Sequence, residues 1–401
     1  MKARSKKIEY RSGHYVELLQ SGEPYFAAVE RIIDSARHFI HFQTYIVDED
    51  ETGRRIINAL IRAAKRGVRI YLLLDAFGTK YLSKEFIDGI ENSGILFRFF
   101  SPTLTGRGFQ LNLRLHSKVV LVDGESAIIG GMNYADRYRG VPGKQEWLDF
   151  AVLIKGPELV HILSVIKKLW NKAFIPRDER AKETIYSPMV YSQDVKIKMQ
   201  LNNWYRRKIE ILRSYRNAFR TAQDHMIIFA SYFLPGRNER KLLRNASHRG
   251  VDITIVLAAE SDAPMFERAT HFLYDFILKN KIKIYEYLPA NLHAKVATVD
   301  GKWSTIGSYN MNHLSDYASI EINVDIMDER FTGSFEKILQ SIIENDCRQV
   351  TFEEYHRRRN LITQVRGWLS YQMIRLLMRI TYQLTSKKKK QRSAQSVPKT
   401  I

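Results

Sequence analysis

The chain of 401 residues contains much of its own sequence twice, and this duplication constrains its fold more than any other property. SARHFIHFQTYIV (35–47) matches TAQDHMIIFASYFL (221–234), and AAKRGVRIYLLLDAFG (63–78) matches ASHRGVDITIVLAAES (246–261). FRFFSP (97–102) parallels IYEYLP (284–289), and LHSKVVLVDGESAIIGGMNY (115–134) parallels LHAKVATVDGKWSTIGSYNMN (292–312). The segments keep their order while the spacing between copies drifts, as in a duplicated unit with altered loops. Each copy reads as strand, helix, strand, helix, strand, then a strand pair around a histidine motif. Apolar runs at Phe39–Ile46, Val68–Leu74 and Val119–Val122 suit buried strands. Gly53–Lys65 and Lys84–Asn92 read as connecting helices, with a Ser or Thr near each start. The alternation predicts an α/β sandwich with a mixed or largely parallel sheet and sites at its strand ends. The chain divides into a basic tail (1–12), a first unit (13–175), a linker (176–195), a second unit (196–350) and an amphipathic, basic C-terminal region (351–401). A basic helix carrying Arg206, Arg207, Lys208, Arg213, Arg216 and Arg220 is expected after the linker.

Both copies carry His-x-Lys-x4-Asp, then a Gly-rich turn and an Asn: His116, Lys118, Asp123 and Asn133, then His293, Lys295, Asp300 and Asn310. In an extended segment, residues two apart project to one side, so His and Lys point together. Two such sets facing each other suit a phosphodiester. Lys and Asn would hold its non-bridging oxygens while one imidazole attacks phosphorus and the other moves the proton of the leaving or incoming oxygen. No metal or other cofactor is expected, because neither copy offers a carboxylate cluster or Cys/His ligand spacing. A single His-x-Lys would be weak evidence; two, in register within a repeat, are not.

Composition narrows the partner. A hydrophobic fraction of 45% excludes wholesale disorder, and the single cysteine, Cys347, excludes a disulfide framework. With 63 Lys+Arg against 43 Asp+Glu, the net charge of +20 points to a polyanion, either nucleic acid or an anionic membrane surface. Both termini are basic, yet much of the charge lies between them. Neither a signal peptide nor a spanning helix is expected. Leu361–Leu384 places Ile362, Val365, Leu369, Met373, Leu376, Leu377 and Ile380 on one helical face, with Arg375 and Arg379 roughly opposite. It reads either as an interfacial helix, with Trp368 and the following lysines at headgroup level, or as a helix docked on its own domain.

The paired motifs resemble the phospholipase D superfamily over about residues 13–350, and more narrowly the bacterial cardiolipin synthases of the short form without N-terminal membrane spans. ETGRRIINALIRAAKRGVRIYLLLD, KIKIYEYLPANLHAKVATVDGKWSTIGSYNMN and IEINVDIMDERF support this. The resemblance implies two pseudo-twofold-related α/β sandwich domains sharing one active site, and a phosphohistidine intermediate. It implies phosphatidyl transfer between phosphatidylglycerol-type lipids to make cardiolipin. It makes His116 and His293 the catalytic pair, with His116 as nucleophile, and assigns phosphate binding to Lys118, Lys295, Asn133 and Asn310. An acid after each motif orients an imidazole; aligning DFAVLI with EINVDI puts these at Asp149 and Glu321. Asp123 and Asp300 complete the motifs but are expected to support a loop. Two departures stand out: Asn312 where related synthases carry an acid, and the longer segment Thr103–Leu115, with Arg107, Phe109, Leu111, Leu113 and Arg114, a lipid-facing lid or an ordinary hairpin. The expected enzyme is peripheral on the cytoplasmic face of the cell membrane, with lipid rather than nucleic acid as partner. A hydrolytic phospholipase or phosphatidylserine synthase shares the motifs; a nuclease of the same superfamily, or a non-catalytic binding protein, would be a different class.

Overall fold

The computed structural model describes residues 9–377, apart from 102–103, 106–107, 110–112, 172–177, 186–187, 204–207 and 359, and apart from the side chains of 104–105, 108–109, 313 and 358. The first half runs β1 (Arg11–Gln20), α1 (Glu23–Asp34), β2 (Phe39–Thr44), α2 (Glu51–Lys65), β3 (Arg69–Asp75), α3 (Lys84–Glu91) and β4 (Leu96–Phe100). The short strands β5 (Leu104–Thr105), β6 (Gly108–Phe109) and β7 (Arg114–Leu115) precede β8 (Lys118–Val122), β9 (Ser126–Gly130), α4 (Asp136–Arg139), β10 (Phe150–Lys155) and α5 (Leu159–Trp170). The second half opens with β11 (Val195–Asn203), β12 (Lys208–Ile209), α6 (Glu210–Thr221), β13 (His225–Ala230), α7 (Arg237–His248), β14 (Asp252–Ala258), α8 (Pro264–Lys279) and β15 (Lys283–Tyr287). It closes with β16 (Lys295–Val299), β17 (Trp303–Gly307), α9 (His313–Tyr317), β18 (Ser319–Met327), α10 (Glu329–Asp346), β19 (Cys347–Val350) and α11 (Phe352–Arg358). A helix over 361–377 follows.

The two halves repeat one pairing scheme. β4, β3 and β2 run parallel, and β8, β9, β10 and β1 continue antiparallel from β2. β15, β14 and β13 run parallel, and β16, β17, β18 and β11 continue antiparallel from β13. β1 meets β11, so the half-sheets join edge to edge. The sheet is mixed rather than mainly parallel, because the strand pair around each motif is a hairpin. Asp123 and Asp300 make the tight turn of each hairpin with φ of 52° and 53°. The apolar runs form strands because helices cover them: one cluster joins α1 and α2 to β2, β3 and β8, and another joins α6, α7 and α8 to β13, β14 and β15. A third cluster lies between the halves, combining Leu115, Val119 and Phe150 with Leu292, Val296 and Phe335.

The basic helix expected across Arg206–Arg220 is shorter. Lys208 belongs to β12 and α6 starts at Glu210, whose carboxylate accepts from the Leu201 amide at 3.1 Å; Arg206 and Arg207 lie outside the described residues. Of Thr103–Leu115, residues 103, 106–107 and 110–112 lie outside them, as does the chain after residue 377, while β5 and β6 pair antiparallel. Helix 361–377 does dock on its own half, burying Gly367, Ser370, Tyr371 and Ile374. Among the described residues, no helix is long and apolar enough to cross a membrane.

Candidate active site

Backbone pairing delivers each histidine to the opposite half. β7 runs parallel to β18, with Arg114 opposite Ser319 and Leu115 opposite Ile320. The amides of His116 and Ser117 then donate to the Ile320 carbonyl at 3.1 and 2.9 Å. Across the pseudo-twofold, Leu148 bridges Leu292, and the His293 amide donates to the Leu148 carbonyl at 2.8 Å. The residue after Ile320 is Glu321, and the residue after Leu148 is Asp149. His116 Nδ1 therefore donates to Glu321 Oε2 at 2.9 Å, and His293 Nδ1 to Asp149 Oδ2 at 2.6 Å. Each acid serves the histidine of the other copy. A proton held on Nδ1 leaves the Nε2 lone pair as the reactive one.

The two pairs are not equivalent. Glu321 Oε2 also accepts from Ser308 Oγ at 2.5 Å, and its Oε1 accepts from Ser319 Oγ at 2.7 Å. Burial raises the Glu321 pKa, but His116, Lys118 and Ser308 outweigh it and hold the group below its ordinary value. Asp149 accepts otherwise from the Phe150 amide at 2.8 Å, and burial pushes it up to about 7 despite Lys295 nearby. Both acids are fully buried. Burial also lowers both imidazoles, with Lys295 and Lys118 adding to the effect at His293, so both are neutral at neutral pH.

The lysines sit beside them. Lys118 Nζ donates to the His116 carbonyl at 2.6 Å, and Lys295 Nζ donates to the His293 carbonyl, 3.8 Å from Asp149 Oδ2. Burial brings Lys118 down to about 7, with Lys295 also opposing its charge, and burial lowers Lys295 as well. Burial opposes the charge of both lysines despite the carboxylates nearby, and a phosphate placed beside them would favour their protonated forms.

The other expected residues sort themselves by contact. Asn133 is turned inward, its Oδ1 accepting from the Ile46 amide at 3.2 Å and its Nδ2 donating to Tyr138 Oη at 2.8 Å. Asn310 Oδ1 accepts from Ser231 Oγ at 3.2 Å, leaving its Nδ2 without a protein partner among the described residues. Asp123 and Asp300 stand at the far ends of their strands. Asp123 accepts from the amides of Arg37, His38 and Phe39, and Asp300 from those of Gln223, Asp224 and His225. Both brace loops away from the imidazoles. Asn312 caps α9 through the Ser315 amide at 3.0 Å.

Sequence reasoning missed several residues. Tyr138 Oη lies 3.3 Å from His293 Nε2, and its ring stands edge-on to that imidazole at 5.0 Å. Tyr45 does the same to His116 at 5.0 Å, and Trp147 approaches His293 at 6.1 Å. Asp75 holds the segment before His116 by accepting from the Leu115 amide at 2.8 Å. At the rim, Asp262 accepts from Tyr232 Oη at 2.6 Å and from Asn291 Nδ2 at 3.1 Å. Only Tyr45 and Tyr232 left a sequence signal, since they occupy matching positions in the repeat. Among the described residues, no three His, Cys, Asp or Glu side chains group as metal ligands.

A duplicated α/β sandwich with two His-x-Lys sets and crossed acids defines a phospholipase D-type protein. The model of the family described as cardiolipin synthase, PLD-like domain, matches residues 29–170 and 215–343, and this chain belongs to that family. It is 32% identical over 356 residues to cardiolipin synthase B of Salmonella typhimurium (strain LT2), covering 86% of this chain and 84% of the relative. It is 33% identical over 356 residues, with the same coverage, to cardiolipin synthase B of Escherichia coli (strain K12). The crystal structure of a phosphatidylserine synthase from Haemophilus influenzae Rd KW20 matches with a TM-score of 0.68 at 15% identity, over 93% of this chain and 94% of that one, a likeness of fold.

Proposed function

We propose that the protein is a phosphatidyltransferase that joins two phosphatidylglycerol-type lipids into cardiolipin through a phosphohistidine. The observation that carries this reading is the crossed pair of His–carboxylate contacts, one with its acid held ionised and the other with its acid near neutrality. Glu321, kept charged, suits the imidazole that must become a cationic phosphoimidazole, which makes His116 the nucleophile. His116 is also the more open of the two, with 17% of its side chain exposed against 7% for His293. Asp149, near its titration point, suits an imidazole that takes and returns a proton.

In the first step Asp149 enters protonated and His293 carries its own proton on Nε2; His116 Nε2 attacks the donor phosphorus, the bond to the glycerol headgroup oxygen breaks, and His293 Nε2 gives that oxygen its proton while Asp149 passes one to Nδ1. Tyr138 hydrogen-bonds His293 Nε2 in the resting site and yields that place to the leaving oxygen. In the second step the headgroup hydroxyl of another lipid gives its proton to His293 and attacks phosphorus, and the P–N bond to His116 breaks. Lys118, Lys295 and the Nδ2 of Asn310 neutralise the phosphoryl oxygens throughout, so the scheme asks for no metal. The resemblance supplies the lipid substrates, the names of the two relatives point to cardiolipin as product, and the basic composition suits an anionic bilayer.

Purified protein incubated with phosphatidylglycerol vesicles should release cardiolipin and free glycerol in equal amounts. Phosphatidic acid as the main product would make the protein a hydrolase, and cleavage of DNA without lipid turnover would make it a nuclease. His116→Ala and His293→Ala should each abolish turnover, but only the His293 variant should still form a phosphoenzyme from a donor whose leaving group needs no protonation.

A further inference from the structure

Helix 361–377 is amphipathic in the unusual sense: it turns Gly367, Ser370, Tyr371 and Ile374 to the protein and most of its large apolar side chains outward. Gly367 sits against the α8 backbone, where an added Cβ would lie 3.2 Å from the Arg268 carbonyl and 3.4 Å from Phe272. Tyr371 packs on Phe272 at 5.3 Å, and Ile374 is buried beside it. On the other side Ile362, Val365, Trp368, Leu369, Met373 and Leu376 are between 47% and 65% exposed. At 100° per residue these six fall within one arc of roughly 140°, whose one polar member is Gln372. Ordinary surface helices do the reverse, so the bare arc calls for an apolar cover.

Charge decides which cover. The chain carries +20, and residues 378–401 contain seven Lys or Arg and no Asp or Glu. A cavity of about 660 Å³ beside the helix is lined by Arg268 and Arg366, which form no ion pair among the described residues, along with Arg240, Arg348 and the acids Asp275, Glu286 and Glu354. A second copy of so basic a chain would be repelled, whereas an anionic bilayer offers both hydrocarbon and negative charge. Position supports the same partner. The helix packs on α8 at Arg268, four residues from that helix's start at Pro264, or ~6 Å along its axis. Just ahead of Pro264 lies Asp262, which ties Tyr232 and Asn291 together at the rim of the site.

We infer that the outward arc of helix 361–377 seats in the interface of an anionic phospholipid bilayer and brings the rim of the site to that surface. This deepens the reading of the site as lipid-processing; binding is measured without turnover, so either can fail alone.

The test is sedimentation of the full chain with vesicles of mixed phosphatidylglycerol and phosphatidylcholine, against phosphatidylcholine alone. The parent should prefer the anionic vesicles and be released at ~0.5 M salt. V365E/L369E should bind at least ~10-fold more weakly, with unchanged circular dichroism and unchanged turnover of a water-soluble short-chain phosphodiester. The milder L369S/M373S guards against misfolding and should give a smaller loss in the same direction. Undiminished binding by both variants, or equal affinity for neutral vesicles, would overturn the proposal. A parent dimer that dissociates on substitution would assign the arc to a second copy, and tighter vesicle binding on removing 378–401 would assign it to the chain's own tail.

Discussion

Ser308 and Gly131 are equivalent residues of the two copies, and the difference between them separates the two acids. Ser308 donates to Glu321, whereas Gly131 has no side chain to offer Asp149. A hydrogen bond to a charged acceptor contributes about 1.5–3 kcal/mol, so Ser308→Ala should raise the Glu321 pKa and lower kcat by roughly 10- to 100-fold. In the proposed scheme Glu321 stabilises the His116 cation, so that loss should come with weaker phosphoenzyme accumulation while KM barely moves. The pH profile follows from the same burial. In the proposed scheme His116, lowered by burial, must be neutral to attack, so kcat/KM should rise with pH through a value below 6.5. The same scheme needs Lys118 charged to receive phosphate, and burial puts its pKa at about 7, so kcat/KM should fall as pH rises past there. Bound phosphate raises the lysine's pKa, so kcat should keep its activity to higher pH than kcat/KM does. Steady-state rates on a short-chain phosphodiester in water would show it; identical alkaline limbs for the two parameters would count against Lys118.

At the scale of elements, the end of β9 controls one acid directly. A Cβ on Gly131 would stand 2.4 Å from Asp149 Oδ2 and 2.6 Å from Oδ1, so Gly131→Ala should push the carboxylate off His293. The expected result is a loss of ~100-fold or more in kcat, because small displacements of reacting groups are costly. Overpacking should destabilise the fold by only about 1–3 kcal/mol, leaving a folded protein by calorimetry. Much of this architecture is readable from sequence. Phe39–Thr44, Arg69–Asp75 and Lys118–Val122 are strands where apolar runs predict them, since both faces of the sheet are covered. The crossing of Asp149 and Glu321 is not readable: alternation along a strand tells which way a side chain points, never which strand lies across a twofold. β1 escapes notice too, because Arg11, His14, Glu17 and Gln20 break its apolar pattern where it joins β10 to β11. His14 is fully buried there, its Nδ1 3.0 Å from the Val195 carbonyl and its Nε2 accepting from the Glu158 amide at 2.9 Å. A buried polar residue with fixed partners looks, in sequence, like a solvent-facing one.

The whole molecule is held by what its halves exchange. Each histidine lacks its acid without the other half, and the central core is shared: the rings of Phe150 and Phe335 meet at 5.2 Å across the twofold. Two bodies joined only by a tether would unfold in two steps, but a shared core couples them, so thermal unfolding should show a single transition. Phe335 offers the sharper measurement. It is 1% exposed and lies on α10, outside the catalytic contacts described above, so Phe335→Ala should cost about 3–5 kcal/mol by emptying space between the halves. Because Phe150 follows Asp149 directly, that cavity should also loosen the His293 pair and reduce kcat, although residue 335 touches no reacting atom. A matched cavity in one half alone, Leu60→Ala beneath α2, should cost about 2–5 kcal/mol while leaving kcat of the folded protein near that of the parent. Equal effects of the two cavities on kcat would mean that the site is positioned by each half separately; a loss confined to Phe335→Ala would place that control in the seam between them.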